Sequence, residues 1–272
     1  MNDIKNKALL ARISDAFQTV NDVRAIALAG SFINGMEDGH SDFDIYVYSD
    51  EEISTGIRRE LALEFSDNPE IDNRYWETGD EWTADEFNRG VDIMFRSPAW
   101  IEEKIARVLD EHIASVGYST CFCFNIKNSI PLFDRRKWYA HLVEKTNRDY
   151  SDELKRNVIL KNFPILRDTQ SSYKTQIEKA IIREDIVGVN HRISALLASY
   201  FDIIFAINGE YHPGEKRLIA YTKSVCKKLP LNFEESVLSV LKWACRDRDA
   251  VLNSVDRLIN GIEELIKNED LI

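Results

Sequence analysis

Asp42 and Asp44 stand two residues apart in the run Ser41-Asp42-Phe43-Asp44-Ile45-Tyr46-Val47-Tyr48. Side chains on a strand alternate between faces, so a strand over about 41–48 puts both carboxylates, with Tyr46 and Tyr48, on one side. Phe43, Ile45 and Val47 then face the core. Two carboxylates one pleat apart offer several hard oxygens on one patch, the donor set Mg²⁺ takes when phosphates complete its shell. Ionised without a cation, they would repel and raise each other's pKa. Upstream, Gly30-Ser31 follows the apolar residues Ile26, Ala27, Leu28 and Ala29. Gly30 permits a tight turn and a close backbone approach to a ligand. A helix starting near Ser31 would aim free N–H groups at phosphate oxygens, with the Ser31 hydroxyl as one more donor. Asp38, His40 and Asp42 do not make a calcium loop, because the required Gly and distal Glu are missing; His40 reads as a turn residue.

A third acid lies further on, in Gly90-Val91-Asp92-Ile93-Met94-Phe95. A lone carboxylate inside an apolar strand is costly to ionise and calls for a partner such as a metal. Taken together, the apolar strand, Gly-Ser, a spacer of about nine residues, Asp-apolar-Asp-apolar and the later strand acid resemble the nucleotidyltransferases of the DNA polymerase beta superfamily. The likeness covers about the first third of the chain and extends to bacterial antibiotic nucleotidyltransferases with a helical C-terminal domain. It implies that Asp42 and Asp44 bind two Mg²⁺ ions, and that Asp92 completes the metal site and accepts the proton of the attacking hydroxyl. Gly30 and Ser31 would hold the β- and γ-phosphates. The implied activity is Mg²⁺-dependent transfer of a nucleoside monophosphate, AMP from ATP first, onto a hydroxyl of a small molecule. Aminoglycosides and lincosamides are the acceptors such a likeness suggests. Two other readings stay open. One is an enzyme that modifies protein side chains, against which the large helical half argues mildly. The other is a nucleotide-binding module without turnover, which the third carboxylate disfavours.

The elements that must hold these residues follow from periodicity. A helix over 3–20 precedes a strand at 23–29; a helix over 51–66 shows Ile53, Ile57, Leu61 and Phe65 at four-residue spacing. An extended segment at 71–78, the Asp92 strand, a helix near 98–115 and a strand at 119–126 complete the first half, with Cys121 and Cys123 on one strand face. Beyond Pro131 and Asp134-Arg135-Arg136 the strand signals end, and helices are expected over 136–147, 150–163, 170–184, 186–208, 214–228 and 231–268, the last broken near 247–249. The fold class is thus α/β (α+β) over residues 1–135 followed by an all-α bundle over residues 136–272; the resemblance implies that the first is a nucleotidyltransferase domain with a mixed sheet and that the bundle closes over nucleotide and acceptor. Within the bundle, Asn208-Gly209 reads as a helix C-cap. Tyr211, His212, Lys216 and Arg217 follow around a Pro-Gly turn, where a cation would neutralise triphosphate and stabilise departing pyrophosphate. Lys216 is the preferred nucleotide-binding candidate of that group. Glu77, Asp80 and Glu81 form an acidic group suited to an amine-bearing or polyhydroxylated acceptor.

Composition narrows the partners. The chain has 272 residues and a formal net charge of −11, with no basic stripe of the kind that neutralises nucleic-acid phosphates. An acidic surface favours a cationic acceptor by long-range attraction. Neither a long apolar stretch nor a signal-peptide pattern stands in the sequence, which points to the cytoplasm and away from a membrane partner. The four cysteines lack zinc spacing and read as reduced core residues.

Overall fold

The computed structural model describes residues 2–30, 41–75, 77–244 and 246–271. The chain divides into two compact units, Met1–Ala106 with Phe122–Arg148, and Arg107–Cys121 with Asp149–Ile272.

The first unit is built on a six-stranded mixed sheet. Helix α1 (Asn2–Phe17) leads into β1 (Val23–Ala29) and β2 (Phe43–Ser49); α2 (Thr55–Ala62), β3 (Glu70–Asn73), β4 (Gly79–Ala84), β5 (Arg89–Arg96) and α3 (Pro98–Leu109) follow. The strand order is β3-β4-β5-β2-β1-β6, with β6 at Ile130–Asp134. Only β2 and β5 run parallel; the other described pairs are antiparallel. Leu9, Ile13 and Phe17 recur at four-residue spacing on α1 and are buried against Ile26, Leu28, Phe43, Ile45, Val47, Val91 and Ile93 on one sheet face. On the other face, β1 presents Ala25, Ala27 and Ala29 directly beside Tyr48, Tyr46 and Asp44 of β2. These small residues leave room above the sheet. Tyr48 is covered there by Trp138 and Tyr139, with ring centroids at 5.3 and 5.5 Å.

One expected strand is a helix. Residues Cys121–Asn128 form α4, and the edge strand β6 comes after it, paired with β1. Cys123, Phe124 and Ile126 are buried and Phe122 meets Trp100 edge-on at 5.1 Å. A short apolar run satisfied on several sides carries no period that separates strand from helix. Cys121 and Cys123 therefore do not share a strand face. After β6, α5 (Trp138–Thr146) packs back on Tyr48. The first unit thus runs on to Arg148, against an expected break after residue 135.

The second unit is helical, with α6 (Asp152–Asn162), α7 (Pro164–Arg167), α8 (Tyr173–Ile182), α9 (Ile186–Asn208), α10 (Leu218–Val225), α11 (Phe233–Trp243) and α12 (Arg248–Asn268). Helix α9 supplies its centre, burying Ile193, Leu196, Tyr200, Ile203, Ile204 and Ile207, and stops at Gly209 in the left-handed region, φ 70°. Residues 244–247 separate α11 from α12, where the Asp247 side chain accepts from the Ala250 N–H. Segment Arg107–Cys121 belongs here because its backbone is held by this unit's side chains. Gly117 N donates to Asn162 Oδ1 at 2.8 Å, and Ser119 N and Oγ donate to the buried Asp202 carboxylate. No helix among the described residues is long and apolar enough to cross a membrane.

Candidate active site

The parallel pairing of β2 with β5 sets Asp44 directly beside Asp92. Asp42 immediately precedes β2, and its carboxylate lies against Gly90 at the second position of β5. Both glycines clear space for an acid. A Cβ on Gly30, whose φ is +73°, would fall 2.6 Å from Asp44 Cγ. A Cβ on Gly90 would fall 2.5 Å from Asp42 Cγ. Any other residue at either position would push a carboxylate out of place.

The antiparallel pairing of β4 with β5 then adds a fourth acid, since Glu81 lies directly opposite Asp92. Residues opposite one another across a sheet share a face, so Glu81, Asp92 and Asp44 form one row across three strands. Asp42 and Glu81 are exposed, whereas Asp44 and Asp92 are half-buried. Burial first, then the charges of Glu81, Asp44, Asp42 and Glu77, hold the Asp92 carboxyl up at about 6. The donors fit a hard divalent cation: crowded carboxylate oxygens on an open face, cleared of side-chain volume by two glycines. Among the described residues no three acidic, histidine or cysteine side chains close into a cage. Such a cation would draw its remaining ligands from phosphate and water.

Further along the same face the sheet is covered. Arg96 donates from Nε and Nη2 to both oxygens of Glu77, each at 2.8 Å, and lies 3.8 Å above the Tyr46 ring. Asn125 of α4 donates to Tyr46 Oη at 3.4 Å. The carboxylate end is thus the open part of this face, and Arg96 fixes Glu77 toward the other end.

The acidic group expected around residues 77–81 divides. Alternation along β4 turns Asp80 to the core face, where it is fully buried with Arg58 Nη1 at 3.3 Å. Arg58, also buried, reaches Asp72 at 2.9 Å and lies over the Phe95 ring. Burial raises the Asp80 pKa, opposed by the Asp72 N–H and by Arg58. Asp80 therefore serves the fold and Glu81 faces the site. Glu81's place beside Asp92, Gly90's cradle and the Arg58 pair escape sequence reasoning; only the alternation of Gly79–Ala84 hints at the first.

Ser31, with His40 of the same loop, lies outside the described residues. Lys216 and Arg217 are exposed in the second unit, on the turn before α10. Tyr211 and His212 are buried, contrary to their expected presentation at that turn. His212 is enclosed edge-on by Tyr118 and Phe205, and its Nδ1 accepts from Gly214 N at 3.1 Å. Burial drives its pKa down to about 3, so it stays neutral.

Comparison with known proteins agrees with the geometry of the sheet. Residues 11–97 match the family described as "Polymerase beta, Nucleotidyltransferase", a span that contains Gly30, Asp42, Asp44, Glu81 and Asp92. A search of curated proteins gives no match. Among solved structures, the chain is similar to a nucleotidyltransferase-like protein from Exiguobacterium sibiricum 255-15, at 9% identity and a TM-score of 0.45, covering 94% of this chain and 74% of that one. It is also similar to the STING-associated CdnE c-di-GMP synthase from Capnocytophaga granulosa, at 15% identity and a TM-score of 0.30, covering 99% and 82%. Both structural likenesses are loose, and the family match covers residues 11–97.

Proposed function

From a chain that carries a polymerase beta-type nucleotidyltransferase domain, and is therefore a nucleotidyltransferase, we propose that its reaction is transfer of AMP from ATP onto a hydroxyl of a small molecule. An aminoglycoside-like antibiotic is the first acceptor class to try. The observation that carries this reading is the pairing of Asp44 with Asp92 on parallel neighbours, with Gly30 and Gly90 cradling the carboxylates of Asp44 and Asp42.

Asp42, Asp44 and Asp92 would hold Mg²⁺, which supplies charge neutralisation at the reacting phosphate. The acceptor oxygen attacks the α-phosphorus, the bond to the β-phosphate oxygen breaks, and pyrophosphate leaves. Asp92 accepts the proton released by the acceptor hydroxyl. Gly30 and Ser31, which follow β1 in the sequence, would hold the β- and γ-phosphates.

The test is label transfer from ATP marked at the α-phosphate, with Mg²⁺ and a panel of aminoglycosides, lincosamides and bacterial metabolites. Label on a small molecule supports the reading and identifies the acceptor. Label confined to protein would replace it with side-chain modification.

A further inference from the structure

Helix α11 buries Phe233, Val237 and Val240 and leaves Glu235, Leu238 and Lys242 exposed. Spacings of three and four residues set these three along one outward stripe. Leu241 borders the stripe, and Leu238 and Leu241 are 48% and 50% exposed. The helix stands between two open grooves of the helical unit. One, of about 880 Å³, is lined by Pro230, Leu238 and Trp243; the other, of about 1020 Å³, by Leu197, Leu218 and Leu241. Leu231, just ahead of the helix, is 81% exposed. Single surface leucines are ordinary, but leucines on both flanks of one ridge, each lining an apolar groove, mark an interaction surface.

The charges select what covers it. Glu234 is held by Lys223, whereas neither Glu235 nor Lys242 forms an ion pair among the described residues. Lys242 lies over the Trp243 ring, 4.9 Å from its centroid. An acid in the first turn and a base in the last suit the helix dipole; the dipole does not account for the exposed leucines between them.

We infer that α11 is the two-fold contact between two copies of this chain. A two-fold axis passing close to Leu238 pairs the helix with itself in antiparallel sense. Leu238 stands three residues after Glu235 and four before Lys242. The same crossing therefore sets each Glu235 beside the other copy's Lys242, one pair at either end of an apolar centre. Each ridge seats in a groove beside the other, and the two helix dipoles run head to tail. A parallel arrangement would instead set acid on acid and base on base.

Sedimentation velocity of the full chain over a concentration series tests this. Wild type should pass from monomer to dimer at micromolar concentrations. Glu235→Lys and Lys242→Glu should each weaken the dimer on the order of tenfold, because symmetry repeats every reversed pair twice. The double variant Glu235→Lys with Lys242→Glu should recover the dimer, since both pairs are restored with their signs exchanged. Leu238→Asp should give a monomer whose thermal unfolding matches that of wild type, its side chain lying outside the core. A wild type that stays monomeric throughout overturns the inference. So does a dimer indifferent to either single reversal, by placing the contact elsewhere. Single reversals that weaken the dimer but fail to rescue each other overturn the antiparallel crossing.

Discussion

Replacing Gly30 by Ala should disable transfer while leaving the chain folded, and the structure sets the scale. At φ +73° the backbone is in the left-handed region, which costs a residue with a Cβ about 1–2 kcal/mol. For a chain of this size that is a fall in Tm of roughly 2–8 °C. The larger effect is steric. The new Cβ would stand 2.6 Å from Asp44 Cγ, whereas carbon atoms rest about 3.5–4.0 Å apart. The Asp44 carboxylate must therefore retreat by about 1 Å, a misplacement that costs on the order of 100-fold in rate. Gly90→Ala serves as the companion. It has no left-handed backbone to strain, but its Cβ would lie 2.5 Å from Asp42 Cγ. Both variants should lose transfer comparably, measured as kcat/KM from α-labelled ATP, and Gly90→Ala should show the smaller loss of Tm. Transfer within threefold of wild type in either variant would refute the claim that the glycines exist to seat the two carboxylates.

Other perturbations separate fold from site. Arg58→Met should destabilise the first unit by about 3–5 kcal/mol in urea unfolding, because Asp80 would be left buried without its cation; adding Asp80→Asn should recover much of that. In the second unit, burial raises the Asp202 carboxyl to about 7, against the opposing hydrogen bonds from Ser119 and Asn162. The folded chain holds this proton between about pH 4 and pH 7 while the unfolded chain has released it. Asp202 therefore makes stability fall as pH rises through that window, by about 4 kcal/mol in total. His212, kept neutral, acts oppositely: stability present above its unfolded pKa is lost as pH falls toward about 3. The stability of Asp202→Asn minus that of wild type should thus climb between pH 4 and 8 in calorimetry; a flat difference would contradict a carboxyl whose burial outweighs its hydrogen bonds. Lys216→Ala should raise the KM for ATP about tenfold if its charge meets the triphosphate, and an unchanged KM would remove it from the site.

Much of the scaffold is legible in the residues because its signals are local. Big-small alternation in Val23–Ala29, the Asp-Phe-Asp-Ile pattern of β2 and the apolar flanks of Asp92 each set a strand and its faces. Asn208-Gly209 ends α9 where a C-cap should. What the sequence hid depends on partners far along the chain. Helix α4 reads as a strand because its apolar residues are satisfied by remote aromatics such as Trp100. His212 is drawn inward by Tyr118 and Phe205, which no local pattern announces. Alternation separates Glu81 from Asp80, but only the non-local register of β4 on β5 puts Glu81 beside Asp92. Segment Arg107–Cys121 joins the helical unit through Asn162 and Asp202, single polar residues inside otherwise helical patterns.

The central claim is that Asp42, Asp44 and Asp92 form one Mg²⁺-dependent transfer site. It is tested most directly by α-phosphate label transfer with wild type, Asp42→Asn, Asp44→Asn and Asp92→Asn, each with Mg²⁺ and with chelator, at matched thermal stability. The account predicts transfer by wild type with Mg²⁺ only, and none by any of the three folded variants. Undiminished transfer by a variant, or transfer that persists in chelator, would contradict it.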